Sequence, residues 1–153
     1  QIDLGFNYRL NDLQSALGLS QLKRIDKFIE QRHEVSNYYF ENLKELDNII
    51  LPYQSEHTYS SFHLFIIRVK GNNSSSRKNL FDKLRNNGIF VNIHYIPIYK
   101  HPYYSKRGYK NLENAEKYYE QAISIPIYPN LKKEDLEKIK NVINSNQNFQ
   151  TLF

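Results

Sequence analysis

The feature that most constrains this chain is a helical spacing of apolar residues that runs from Asn11 to Leu46. Leu13, Ala16, Leu17, Leu22, Ile25, Phe28 and Ile29 recur three or four residues apart, and Tyr38, Tyr39, Leu43 and Leu46 continue the pattern. Asn11 is a good N-cap, and Gln14 three residues later completes a capping-box-like start. As one straight helix these about 35 residues would extend about 50 Å. That exceeds the usual globular length, so a break is expected between Gly18 and Gln21 or at Lys23. Even when broken, such a span is longer than one small domain requires, and joining two domains is a natural use for it.

Past Pro52 the chain turns polar, and the elements that follow are short. Phe62 to Val69 reads as a buried strand. Gly71 to Ser76 reads as a loop ending in a serine cap. Leu80, Phe81 and Leu84 then mark a short helix with Gly88 as its C-terminal cap. Ile89 to His94 reads as a second strand, ended by Pro97. After a Tyr- and Lys-rich loop come a helix around Glu113 to Ala122, a strand from Ile123 to Ile127 and a last helix from Lys133 to about Asn144. The tail after Ser145 is polar. The order describes an α/β chain: a long helix, then a small α+β domain.

Composition removes several function classes. There is no cysteine, which excludes disulfides, thiolate catalysis and cysteine-ligated zinc. No apolar run approaches the ~18 residues needed to cross a bilayer and no signal peptide opens the chain, so the expected setting is cytoplasmic, with no membrane partner. A net charge of +5 beside 13 Tyr and 9 Phe raises single-stranded nucleic acid as a partner. Against it, Lys132, Lys133, Lys138 and Lys140 alternate with Glu134, Asp135 and Glu137, the pattern of a solvated helix face, and no nucleic-acid module is present. The histidines at 33, 57, 63, 94 and 101 show no metal-ligand spacing, and His33 and His63 read as structural. Gly-rich phosphate loops, His-Glu-x-x-His and nucleophile elbows do not occur. The chain starts at Gln1 and holds no methionine; it is expected to be a piece of something longer.

Three segments carry a resemblance. Gly5-Phe6-Asn7-Tyr8-Arg9-Leu10-Asn11-Asp12-Leu13-Gln14, running on to Leu22, is similar to a shared stretch of the DegT/DnrJ/EryC1/StrS family of nucleotide-sugar aminotransferases. Asn92-Ile93-His94-Tyr95-Ile96-Pro97-Ile98-Tyr99 resembles that family's His-Tyr-x-Pro segment, and Ile125-Pro126-Ile127-Tyr128-Pro129 the motif before its final helix. The three stand in the family's order. The resemblance implies the C-terminal part of a fold-type I, pyridoxal-phosphate-dependent enzyme, with a long helix followed by a small, largely antiparallel sheet and flanking helices. Residues 1–46 would be an interface motif and linking helix, 47–145 the small domain and 146–153 a polar tail, with the large cofactor-binding domain absent. The implied reaction transfers an amino group, from glutamate, to a UDP-linked 4-keto-6-deoxy sugar in a homodimer.

By the same resemblance, Asn7 and Arg9 help hold the cofactor phosphate in the neighbouring subunit's site, and Tyr8, His94 and Tyr95 contact the sugar nucleotide. Phosphate calls for charge-assisted donors, which an Arg fork supplies, while imidazole and phenol can stack on or hydrogen-bond to sugar or uracil. Local roles compete: Asn7 could cap a turn, Arg9 could pair with Asp3 or Asp12, and His94 and Tyr95 could be a strand histidine and a packed tyrosine. Many members end the second segment in Pro-Leu-His; Pro97-Ile98-Tyr99 here resembles the branch acting on 4-keto-6-deoxy N-acetylhexosamines on the way to pseudaminic acid. Lys100, His101, Lys106, Arg107 and Lys110 could attract a diphosphate. The family's Schiff-base lysine, its pyridine-facing aspartate and its stacking aromatic all lie upstream of the first motif, so no catalytic residue is expected here. A regulatory relative that kept the fold and lost catalysis, and a Tyr-rich nucleic-acid binder, are the competing readings.

Overall fold

The computed structural model describes residue 5 and residues 8–71, 74–108 and 112–145. Asn11 forms the capping box expected of it: its side chain accepts from the Gln14 amide at 2.9 Å while Gln14 Oε1 accepts from the Asn11 amide at 3.0 Å. Helix α1 (Asp12–Leu22) starts there, and the expected break falls at Lys23 and Arg24 before α2 (Ile25–Leu43). The two helices differ in what covers them. No residue of α1 is buried, whereas α2 buries Val35, Ser36, Tyr39 and Leu43.

Helix α2 packs on a three-stranded antiparallel sheet in the order β1 (Ile49–Ile50), β2 (Phe65–Val69), β3 (Ala122–Ile125). Phe65 pairs with Ile125 and Ile67 with Ile123. Strand alternation sends Phe65, Ile67 and Val69 to the core, where they meet Tyr39 and Leu43 of α2. Leu80 and Leu84 of α3 (Ser74–Asn86) and Leu136, Ile139 and Ile143 of α6 (Lys133–Asn144) close the same core. Helix α3 ends in a Schellman turn: the Ile89 amide donates to Leu84 O and the Gly88 amide to Arg85 O, with Gly88 at φ +72°. Only glycine takes that conformation without a Cβ penalty. Between α3 and β3 lie a short 3-10 turn (Ile98–Lys100), α4 (Pro102–Ser105) and α5 (Glu113–Gln121).

The sequence reading departs from this fold in several places, among them the end of β3, which stops at Ile125 and not Ile127. Ile89 to His94 is not a full strand; a single bridge joins Asn92 to Ser124. Asn92 Oδ1 accepts from the Ile93 amide at 2.8 Å, a local bond that competes with a ladder. The strand expected from Phe62 starts at Phe65, because Phe62 has φ +44° and Arg32 occupies the carbonyls of Phe62 and His63. Helix α3 begins at Ser74, earlier than the serine cap placed at the end of the Gly71 to Ser76 loop. Strand β1 is two residues long, too short to leave a periodicity.

Side chains of α2 also fasten the chain that leaves β3. Tyr39 donates to Pro126 O at 2.7 Å, Arg32 to Ile127 O at 3.1 Å, and Gln31 to Asn130 Oδ1 at 2.7 Å. Tyr39 is fully buried, and burial pushes its phenol well above its ordinary value, so it acts as a permanent donor. His33 is structural, with Nε2 at 2.8 Å from Ser60 O and its ring stacked on Tyr59, whereas His63 is exposed.

These contacts give an ordered set of stabilities. Ile67→Ala should cost about 2–5 kcal/mol through the cavity it leaves. Tyr39→Phe should cost about 1–3 kcal/mol through the stranded Pro126 carbonyl. Leu17→Ala on the uncovered α1 should cost less than about 0.5 kcal/mol in this chain. Urea denaturation of the three variants checks the order, and a Leu17→Ala loss as large as that of Ile67→Ala would contradict it.

Candidate functional site

Of the three motifs, the second is joined to the strand that leads into the third. The Ser124 amide donates to Asn92 O at 2.8 Å and the Asn92 amide to Ser124 O at 3.2 Å. Ser124 Oγ lies 2.7 Å from His94 Nδ1. The peptide between His94 and Tyr95 is cis, and the two rings meet edge to face at 4.6 Å. His94 is half-buried and Tyr95 exposed. His94, but not Tyr95, lines a cleft of about 380 Å³. Its floor is apolar, from Ile89, Ile125, Ile127, Leu131 and Ile139, and His63, His94, Asp135 and Lys138 contribute polar groups. An apolar floor with a few placed polar groups is the usual form of a small-molecule site.

The first motif stands apart. Tyr8 and Arg9 are exposed and do not line that cleft. Asn7 lies outside the described residues, as does Asp3. Among the described residues Arg9 forms no ion pair with Asp12, so its guanidinium fork is not committed to that local partner. Its neighbours in sequence are apolar and uncovered: Leu10, Leu13, Leu17, Leu19 and Leu22 are all exposed. Leu13 and Leu17 lie on one side of α1, and Leu19 and Leu22 near the opposite side, by the turn of the helix. Large apolar side chains left exposed on two sides of one helix are suited to burial.

The turn after His94 and Tyr95 is anchored by a cluster the sequence did not announce. Tyr99 is buried and donates to Glu116 Oε1 at 2.8 Å, while Lys100 pairs with Glu116 Oε2 and lies over the Tyr119 ring. Lys100 and Tyr99 hold the Glu116 carboxyl below its ordinary value, and Glu116 holds the Lys100 ammonium above its own. Burial, with the Glu116 bond, pushes the Tyr99 phenol up. The expectation that Lys100 serves as a diphosphate attractor is thus met by a local carboxylate instead. His101 Nε2 sits 3.2 Å from Ile96 O, Arg107 donates to Tyr103, Lys106 is exposed, and Lys110 lies outside the described residues.

Sequence reasoning also missed Ser124, whose only signal was one hydroxyl in an otherwise apolar strand, Ala122-Ile123-Ser124-Ile125. Among the described residues no group of three or more His, Asp or Glu side chains is placed to hold a metal. No helix there is long and apolar enough to cross a membrane.

Comparison with known proteins agrees with the three motifs. The model of the DegT/DnrJ/EryC1/StrS aminotransferase family matches residues 1–144, and the chain belongs to that family. It is 32% identical over 143 residues to the UDP-4-amino-4,6-dideoxy-N-acetyl-beta-L-altrosamine transaminase of Campylobacter jejuni, serotype O:2, covering 93% of this chain and 38% of that protein. Helicobacter pylori PseC, an aminotransferase involved in the biosynthesis of pseudoaminic acid, superposes with a TM-score of 0.83 at 31% identity, over 94% of this chain and 39% of that one. Spr1654 of Streptococcus pneumoniae, assigned as a sugar aminotransferase, superposes in its PLP form with a TM-score of 0.79 at 27% identity, over 90% and 36%. The chain therefore spans little more than a third of the length of these relatives.

The anchoring cluster has a pH signature. Glu116, and Glu137 beside Lys140 and Tyr38, both have carboxyls held below the ordinary 4.5. A depressed carboxylate adds stability that is complete above its unfolded-state pKa and is lost as pH falls through the folded value. Stability should therefore drop below about pH 4.5, and Glu116→Gln should remove part of that drop. Urea midpoints measured across the acid range check this, and superimposable pH profiles for variant and parent would refute it.

Proposed function

We propose that this chain is the C-terminal part of a pyridoxal-phosphate-dependent aminotransferase that aminates a UDP-linked 4-keto-6-deoxy sugar, with glutamate as amino donor. The observation that carries the reading is the likeness to the Campylobacter jejuni transaminase along 93% of this chain, within a family whose model matches residues 1–144 and so takes in both the first motif and His94 and Tyr95. The Pro97-Ile98-Tyr99 ending supports the N-acetylhexosamine branch.

When bound, pyridoxal phosphate supplies the electron sink for moving the amino group. This chain's share is positioning. Asn7 and Arg9 supply donors suited to a phosphate dianion, the Arg9 guanidinium as a planar fork. They act on the cofactor of the second subunit in a homodimer. His94, Tyr95 and Tyr8 orient the sugar nucleotide. Residues 1–46 form the interface motif and linking helix and 47–145 the small domain. One leucine side of α1 packs on the large domain of the same polypeptide and the other on the second subunit, since a helix of this length is not stable uncovered. The setting is the cytoplasm, where sugar nucleotides and glutamate are available.

This chain mixed with pyridoxal phosphate should show no stoichiometric bound-cofactor absorbance and no transamination; turnover of a keto-sugar nucleotide by the purified chain would sink the reading. In the longer polypeptide, loss of Asn7 or Arg9 should weaken cofactor binding about ten- to 150-fold, the worth of one hydrogen bond involving a charged group. Alanine at His94 or Tyr95 should leave cofactor binding intact and lower substrate affinity or turnover. A heterodimer of one subunit lacking the cofactor lysine and one lacking Asn7 and Arg9 should recover toward half of wild-type activity. No recovery despite proven subunit exchange would remove the between-subunit assignment.

A further inference from the structure

Ser124 is 6% exposed, and its hydroxyl has one hydrogen-bond partner among the described residues, His94 Nδ1 at 2.7 Å. Its backbone is occupied separately, by the two bonds to Asn92. A serine hydroxyl carries one proton, and a buried proton of this kind needs an acceptor. If Nδ1 accepts it, both groups are satisfied. If Nδ1 carried a proton instead, it would donate to Oγ and leave the hydroxyl proton facing an apolar strand. The bond made by one ring nitrogen sets the protonation of the other. His94 Nε2 makes no hydrogen bond among the described residues, and His94 lines the cleft.

We propose that Ser124 is a positioning residue that fixes neutral His94 with its proton on Nε2. The imidazole then presents a donor to an acceptor oxygen of the ligand in the cleft. The placement of that ligand rests on the functional reading above; the hydrogen bond to Nδ1 does not. The ligand oxygen is a carbonyl, hydroxyl or phosphate oxygen of the sugar nucleotide, and a ligand offering only a donor at that point is rejected. The backbone bridge to Asn92 needs no side chain, so Ser124→Ala removes the hydroxyl and keeps the segment on the sheet.

The test has two arms. In the chain labelled with 15N-histidine, with His94 assigned by its loss in His94→Asn, long-range proton–nitrogen couplings in mildly alkaline buffer report the tautomer. His94 should show the Nε2–H pattern, Ser124→Ala should shift it to an averaged mixture, and Ser124→Thr should restore it. An Nδ1–H pattern in the parent, or an unchanged spectrum in Ser124→Ala, overturns the proposal. In the full-length enzyme, Ser124→Ala should raise the KM for the UDP-linked keto-sugar about two- to tenfold, as expected for one neutral hydrogen bond, with cofactor affinity unchanged and Ser124→Thr close to wild type. The expected spectra with an unmoved KM would uphold the hydrogen bond and overturn the placement of substrate on His94.

Discussion

The rest of the structure depends on the grip that α2 keeps on the chain leaving β3. Helix and sheet could share an apolar core in many rotations and offsets, because hydrophobic contact is non-directional. Tyr39, Arg32 and Gln31 remove that freedom by donating to Pro126, Ile127 and Asn130. Arg32 also reaches the carbonyls of Phe62 and His63, so one guanidinium ties the approach to β2 to the exit from β3. With those two segments held, β3 is fixed against β2, and Ser124 is fixed in turn.

From Ser124 the order passes to the candidate site. Its backbone holds Asn92, its hydroxyl meets His94, and the Glu116 cluster secures the far side of the same turn through Tyr99 and Lys100. The His94–Tyr95 pair is therefore pinned at both ends, by Ser124 on one side and the Glu116 cluster on the other. Rigid support of this kind is what lets a side chain on an irregular segment keep a binding geometry.

The two ends of the chain have opposite characters. The elements from α2 to α6 share one buried core, while α1 is well capped and leaves every leucine exposed. A capping box stabilises a helix start but buries no apolar area, so α1 owes its form in this chain to local bonds. Family membership gives that exposure a context, since the relatives are more than twice as long as this chain.

What the sequence by itself determined is what local chemistry decides. The Asn11–Gln14 cap, the break near Lys23, the Gly88 turn and the bounds of α6 each follow from residues a few positions apart. The three motifs were legible as well, and so was the identity of His94 and Tyr95 as candidates. What only the tertiary structure decided involves partners far apart in sequence. Phe62 reads as a strand residue until Arg32, 30 residues away, takes its carbonyl. Ser124 is one hydroxyl in an apolar strand until folding brings His94 to it, and Lys100 is a free charge until Glu116 arrives from the neighbouring helix. Periodicity reports which face of an element is apolar; which polar group meets which across the fold is set by packing, and a sequence pattern carries no distance for it.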